Sequence, residues 1–335
     1  MGQDSNIEWT HHTFNPWRGC TKVSEGCKHC YADVMSKRNP GVLGIWGPRG
    51  SRVVAAESYW RQPLKWAAAA RAAGERRRVF CASLADVFEG PETMPDEAWP
   101  LVQAARARLF DLISDTPELD WLLLTKRPQN VKPQLIAAGR GFQDLPPWVW
   151  IGTSVENQAA ADERIPELLQ IPAHVRFLSC EPLLGPVSFR PKAADVADML
   201  RLMDAGDAAR PAMLDGISWV ICGGESGHGA RPMHPGWARS LRDQCQAAGV
   251  AFHFKQWGQF APANGDARTA LGVPYGGMDD PDGRTPIALP DNTITDLDWN
   301  GGPGPHLRGG VHLLSLGKRA AGRLLDGREW SEYPR

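Results

Sequence analysis

"WLLLTKRP", residues 121–128, sets an aromatic and three leucines in a row and then turns polar at Thr125, Lys126 and Arg127. An unbroken apolar run of this length, with no polar alternation, suits a strand buried on both faces, as in a parallel sheet. The pattern recurs in "VFCASLADVF" (79–88), "VWIGTSVEN" (149–157), "VRFLSCEP" (175–182), "WVICGGES" (219–226) and "FHFKQWG" (252–258). Helix-like segments lie between the runs: "DEAWPLVQAARARLFDLI" (96–113), "ENQAAADERIPELLQ" (156–170), and a third that starts after Pro235 and stops at Gly249. Strands alternating with helices imply right-handed βαβ crossovers. Counting "IEWTHHTF" (7–14) as a first strand, the sequence predicts an α/β fold, a partial or irregular TIM-type (β/α) barrel with about six to seven parallel strands and loop insertions.

Residues 1–258 are expected to form this barrel, with a cysteine loop at 19–31 and an insertion at 39–63 that contains "NPGVLGIWGPRGS". Residues 259–335 hold "GGMDDPDGR" and "NGGPGPHLRGG", too rich in Gly, Pro and Asp for regular core elements. They are expected to form an irregular insertion and a short basic C-terminal helix packed on the barrel. The 335 residues are 42% apolar, enough for a globular core, and 37 Lys and Arg against 38 Asp and Glu leave a formal net charge of -1. Global charge therefore supplies no funnel for a polyanion, although a local basic groove stays open. No apolar stretch approaches the roughly 20 residues of a membrane span. The N-terminus has no signal-peptide pattern, so the expectation is a cytoplasmic protein with no membrane partner.

In parallel α/β folds the residues at the carboxyl ends of strands face the ligand site. Here those positions carry Asp86, Lys126, Arg127, Ser154, Glu156, Glu181, Glu225 and Lys255. "GCTKVSEGCKHCYAD" (19–33) follows the first strand directly and brings Cys20, Cys27 and Cys30 to the same face. Cys81, Cys180 and Cys222 lie inside apolar runs and Cys245 in a helix, where a free Cys acts as a small hydrophobe. Two metals suit the clustered three. Zinc would need a fourth ligand from His11, His12 or His29, whereas a four-iron cluster held by three thiolates keeps one iron open for an exogenous ligand.

The stretch "CTKVSEGCKHCYA" resembles the cluster motif of radical S-adenosylmethionine enzymes, with six residues between Cys20 and Cys27 where the common spacing has three. "NPWRGC", "SLADVF", "LLLTKRP", "GTSVEN", "LSCEPLLGP", "VICGGESG", "FKQWG" and "GRLLDGREW" resemble a family of phage and prophage proteins with a three-Cys motif. The resemblance implies a 4Fe-4S cluster on Cys20, Cys27 and Cys30, S-adenosyl-L-methionine on the open iron, and an external electron donor. Tyr31 or His29 would pack near the adenine, and Asp86 with Ser83 would take the early position that serves the methionine ammonium. Lys126 and Arg127 would meet a carboxylate or phosphate, with Glu156, Glu181, Glu225 and Lys255 as further substrate or catalytic groups. Phage association implies a nucleotide or DNA substrate, such as rearrangement of a substituted thymine in the bacterial host cytoplasm. Two rivals are a radical-based repair enzyme resembling spore photoproduct lyase and a zinc-braced nucleic-acid-binding module without catalysis.

Overall fold

A computed structural model describes residues 5–190, 212–262, 284–288, 291, 294–298 and 311–334. Its main sheet consists of β1 (His12–Thr13), β4 (Arg77–Cys81), β5 (Leu119–Thr125), β6 (Val149–Ser154), β7 (Val175–Cys180), β8 (Trp219–Gly223) and β9 (Ala251–Gln256). They lie in that order as seven parallel strands of a partial TIM-type barrel. Each apolar run of the sequence overlaps one of these strands. The strands end at or just past the first polar residues of each run, where the chain leaves the sheet.

By its internal contacts the chain divides into two units. The first comprises Met1–Ser154, Asp162–Ser179 and Gly216–Trp219, and the second Val155–Ala161, Cys180–Asp215 and Val220–Arg335. In the first, β5 is paired on both sides, Phe80 facing Leu122 and Leu122 facing Trp150. That explains its unrelieved apolar character. The helix α5 (Ala98–Ser114) buries Ala98, Val102, Ala105, Leu109 and Ile113, a stripe at helical spacing. Trp219 packs edge-on to Trp9 and Trp150, at centroid distances of 6.2 and 6.3 Å. Of the 13 tryptophans among the described residues ten are buried, which makes those core anchors rather than stacking platforms for bases.

Residues 39–63 are more ordered than the Gly- and Pro-rich sequence suggests. They hold the short helices α2 (Pro40–Leu43) and α3 (Glu57–Trp60) and the strand β3 (Val53–Val54), which pairs antiparallel with β2 (Trp17–Arg18). Burial of Arg52 and Trp60 pins this segment to the fold.

In the second unit, the helix α8 (Pro235–Ala248) starts with Pro at its first position and ends at Gly249, which adopts the left-handed φ of 68°. His234 caps it, its Nδ1 accepting from the Gly236 N–H at 2.9 Å. The irregular region expected after residue 259 falls largely outside the described residues, "NGGPGPHLRGG" wholly so and "GGMDDPDGR" up to Gly283. What is described includes an antiparallel sheet of β10 (Phe260–Pro262), β13 (Val311–Ser315), β11 (Arg284–Ala288) and β12 (Ile294–Asp298), in that order. The C-terminal basic helix is a single turn, Lys318–Ala321, followed by a hairpin of Leu324–Leu325 with Arg328–Glu329. Asp326 and Gly327 turn the hairpin at φ 55° and 72°, the positive values that an Asp-Gly turn supplies.

The glycines of "CGGES" serve the chain's own packing. A Cβ on Gly224 would stand 1.9 Å from the Trp257 carbonyl oxygen, and one on Gly223 would stand 2.4 Å from Glu181 Oε1. Backbone rather than a ligand occupies the space at Gly224. Gly224→Ala is therefore expected to lower stability by about 3 kcal/mol through overpacking against main chain. Gly41→Ala, with nothing within 4 Å of the added carbon, should stay within about 0.5 kcal/mol. Urea unfolding of the two variants checks the contrast, and equal midpoints would refute it.

Candidate metal and cofactor site

The cysteine loop begins at Gly19, whose φ of 114° is open to glycine and whose N–H donates to the Leu84 carbonyl at 3.0 Å. Thr21 is held from several sides. Its N–H donates to Glu89 Oε1 at 3.0 Å, its hydroxyl to the Thr93 carbonyl at 2.6 Å, and its own carbonyl accepts from the Arg127 guanidinium at 2.7 Å. Cys27 closes a 3-10 turn, Glu25–Cys27, with its N–H on the Ser24 carbonyl. Cys30 is the N-cap of α1 (Tyr31–Arg38). Burial pushes its thiol up, while the backbone N–H groups of Ala32 and Asp33 and the Lys126 ammonium pull the other way.

Cys20, Cys27 and Cys30 are all partly exposed, whereas Cys81, Cys180, Cys222 and Cys245 are buried. Beneath the loop lies a buried ion network that sequence reasoning missed. Arg52 grips Glu89 with two nitrogens, at 2.8 and 2.7 Å, and both side chains are fully buried. Arg106, also buried, donates to the Val87 and Glu89 carbonyls at 2.8 and 2.7 Å. Glu89 directly follows the apolar run 79–88, a signal that could have singled it out, although it lies eight residues past the end of β4. Arg52 lies in a Gly/Pro-rich stretch with no local signal.

Arg127, expected to meet a substrate anion, is instead buried. It donates to Asp86 Oδ2 at 2.9 Å and lies 3.9 Å from Cys20 Sγ. Asp86, expected to receive the methionine ammonium, accepts from the Phe88 N–H, the Thr125 hydroxyl, the Lys126 N–H and Arg127. Those four donors occupy both of its oxygens. Burial raises the Cys20 thiol's pKa, with Glu89 and Asp86 adding to the rise and Arg127 opposing it. Tyr31 and Ser83 do come together. The Tyr31 hydroxyl donates to the Ser83 carbonyl at 2.7 Å, and Asn15 bonds the Ser83 hydroxyl at 3.1 Å. Lys126 and His29 are partly exposed.

In the second unit, Lys255 pairs with Glu181 at 3.2 Å, both side chains mostly buried. Glu156 is buried, and its backbone carbonyl accepts from Leu184. Glu225 binds Arg231 through the guanidinium, at 2.9 and 2.7 Å, and through the backbone N–H at 2.8 Å. This bracing closes the 225–231 loop. His228 is exposed, so neither it nor the capping His234 has the setting of a metal ligand.

Residues 4–334 match a family described as "Protein of unknown function (DUF5131)". The chain belongs to that family. Two solved variants of spore photoproduct lyase are loosely similar to this DUF5131 chain, both with a TM-score of 0.39. One is 12% identical, with 78% of this chain and 67% of that one covered, and the other 11% identical, with 81% and 74% covered. None of the curated proteins matches the chain. No helix among the described residues is long and apolar enough to cross a membrane.

The two metals make different demands on these donors. A tetrahedral zinc site draws its ligands to about 2.3 Å (sulfur) from a single ion. Among the described residues no group of three or more His, Cys, Asp or Glu side chains is gathered closely enough for that, His11, His12 and His29 included. A four-iron cluster makes a different demand, since each thiolate binds a separate iron. Three partly exposed thiols spread along one anchored loop fit that demand.

Proposed function

We propose that this chain is a radical S-adenosylmethionine enzyme whose 4Fe-4S cluster is held by Cys20, Cys27 and Cys30, and that it modifies a nucleotide or DNA. The observation that carries the reading is the division of the cysteines, in which the three clustered ones are partly exposed and the other four are buried. When bound, the cluster supplies an electron for cleaving the sulfonium of S-adenosylmethionine.

The chain's own residues set the stage for that chemistry. Arg127 sits against Cys20 Sγ and ties Thr21 to Asp86, so the first ligand and the strand end of β5 form one rigid piece. Lys126, partly exposed at the end of β5, offers a cation for a phosphate or carboxylate. Tyr31 keeps its ring exposed while its hydroxyl is tied down, which leaves a face for a purine to stack on. The Glu181 and Lys255 pair presents a carboxylate and an ammonium side by side, suited to a zwitterionic amino-acid substituent such as one carried on a hypermodified thymine. With such a substrate, the favoured reaction is an isomerisation of the substituent.

Anaerobic reconstitution with iron and sulfide should load four irons per chain. Addition of S-adenosylmethionine and dithionite should then release 5′-deoxyadenosine. Phage-type hypermodified DNA, digested to nucleosides after the reaction, should show one nucleoside with changed retention and unchanged mass. One equivalent of zinc with no iron uptake under reducing conditions would overturn the cluster. Consumption of a peptide or small amine with every nucleoside unchanged would overturn the substrate class.

A further inference from the structure

In the buried ion network of the first unit, three guanidinium groups, those of Arg52, Arg106 and Arg127, meet two carboxylates, Asp86 and Glu89. Both acids are fully committed. Glu89 is gripped by Arg52 and accepts from the Thr21 N–H, while Asp86 accepts from Arg127 and three further donors. Arg106 donates to neutral oxygens, the Val87 and Glu89 carbonyls and the side-chain amides of Gln103 and Gln134. A guanidinium keeps its proton at any ordinary pH. The network therefore carries one positive charge more than its carboxylates neutralise, and a surplus charge is costly to bury unless an anion completes the set.

Arg127 is the member of the network that reaches the cysteine loop. Its Nη1 donates to Asp86 Oδ2 at 2.9 Å and stands 3.9 Å from Cys20 Sγ, within reach of a hydrogen bond to sulfur. Its Nη2 donates to the Thr21 carbonyl at 2.7 Å and lies 3.7 Å from Glu89 Oε1. Held at both nitrogens, the guanidinium is fixed beside the sulfur before any metal arrives.

Resting on the radical reading above, we propose that Arg127 is a positioning residue that raises the reduction potential of the centre held by Cys20, Cys27 and Cys30, through a hydrogen bond to the Cys20 sulfur and the surplus charge behind it. Potentials of iron-sulfur centres follow their net charge and the hydrogen bonds to their sulfurs. Three thiolates bring negative charge to the loop, and an entering electron adds one more. A fixed cation beside a ligand sulfur favours the reduced form over the oxidised one, and most strongly where water is excluded. In that step the centre gains one electron, an external reductant loses one, and no bond forms or breaks.

The test compares the full chain with Arg127→Met, Arg127→Lys and the pair Asp86→Asn with Arg127→Met, each reconstituted anaerobically. Midpoint potentials are read by electron paramagnetic resonance during stepwise reduction with dithionite, without S-adenosylmethionine, and iron is counted alongside. Arg127→Met is expected to shift the one-electron equilibrium about tenfold toward the oxidised form, a fall of about 59 mV. Arg127→Lys keeps the charge and should recover about half of that fall. The pair leaves no carboxylate buried without its cation, so it decides the matter if Arg127→Met alone does not fold, and its equilibrium should still lie about threefold toward the oxidised form. Arg52→Met with Glu89→Gln is the control: it disturbs the same network, keeps its charge balance and leaves Arg127 beside Cys20, so its equilibrium should stay within about twofold of the unmodified chain. An unchanged potential in the iron-loaded Arg127→Met chain or in the pair would overturn the proposal, as would an equal fall in the control. Absence of iron from the unmodified chain would remove the radical reading and the proposal together, whereas four irons with an unmoved potential would remove the proposal alone.

Discussion

Cys20→Ala, Cys27→Ala and Cys30→Ala should each emerge from anaerobic reconstitution with iron content near background, while Cys81→Ala and Cys222→Ala load as the unmodified chain does. The contrast follows from where the thiols sit. The first three are partly exposed on an anchored loop, and the other two lie inside β4 and β8 with no exposed surface. A cluster with one iron open has only three protein bonds, so losing one leaves too few to hold it. Replacing a buried Cys by Ala removes one sulfur from the core at about 1 kcal/mol, too little to unfold the chain. Iron and sulfide analysis, with circular dichroism to confirm folding, reads both sets. Iron retained by Cys27→Ala, or lost from a folded Cys222→Ala, would show that the ligands are misassigned.

Glu89→Gln should produce the largest stability loss of any single charge change in the first unit, about 3–5 kcal/mol. Glu89 and Arg52 have no exposed side-chain surface, and Glu89 also accepts from the Thr21 N–H. Neutralising the acid leaves a guanidinium buried without its counter-charge and loosens the loop next to Cys20. Iron uptake should therefore fall along with the urea midpoint. Arg52→Met with Glu89→Gln separates the causes, because removing the second charge also removes the orphan. The double variant should lose clearly less than the sum of the two single losses, the signature of direct coupling. Simple additivity would mean that the pair contributes through packing alone.

The strands and helices of the main sheet were legible because burial on both faces, helical periodicity and capping are properties of neighbouring residues. "WLLLT" could hardly be other than a central strand, and Pro235 with Gly249 bracket their helix in the sequence itself. The division of cysteines into one cluster of three and four within apolar runs or a helix was equally local. The roles of individual charged residues were not. Lys126 and Arg127 are adjacent and chemically alike in the sequence, yet one stays partly exposed and the other is buried against Asp86 and Cys20.

What the sequence determined by itself was the alternating parallel framework and the placing of three thiols after its first strand, since both are written in spacing along the chain. What only the tertiary structure decided was which charges neutralise one another. Arg127 meets a cysteine 107 positions away, Arg52 meets an acid 37 positions away, and Gly224 is required by the Trp257 carbonyl. Such partners are selected when packed elements exclude water and every buried charge must find its opposite within a few ångströms, a condition that distance along the chain does not encode.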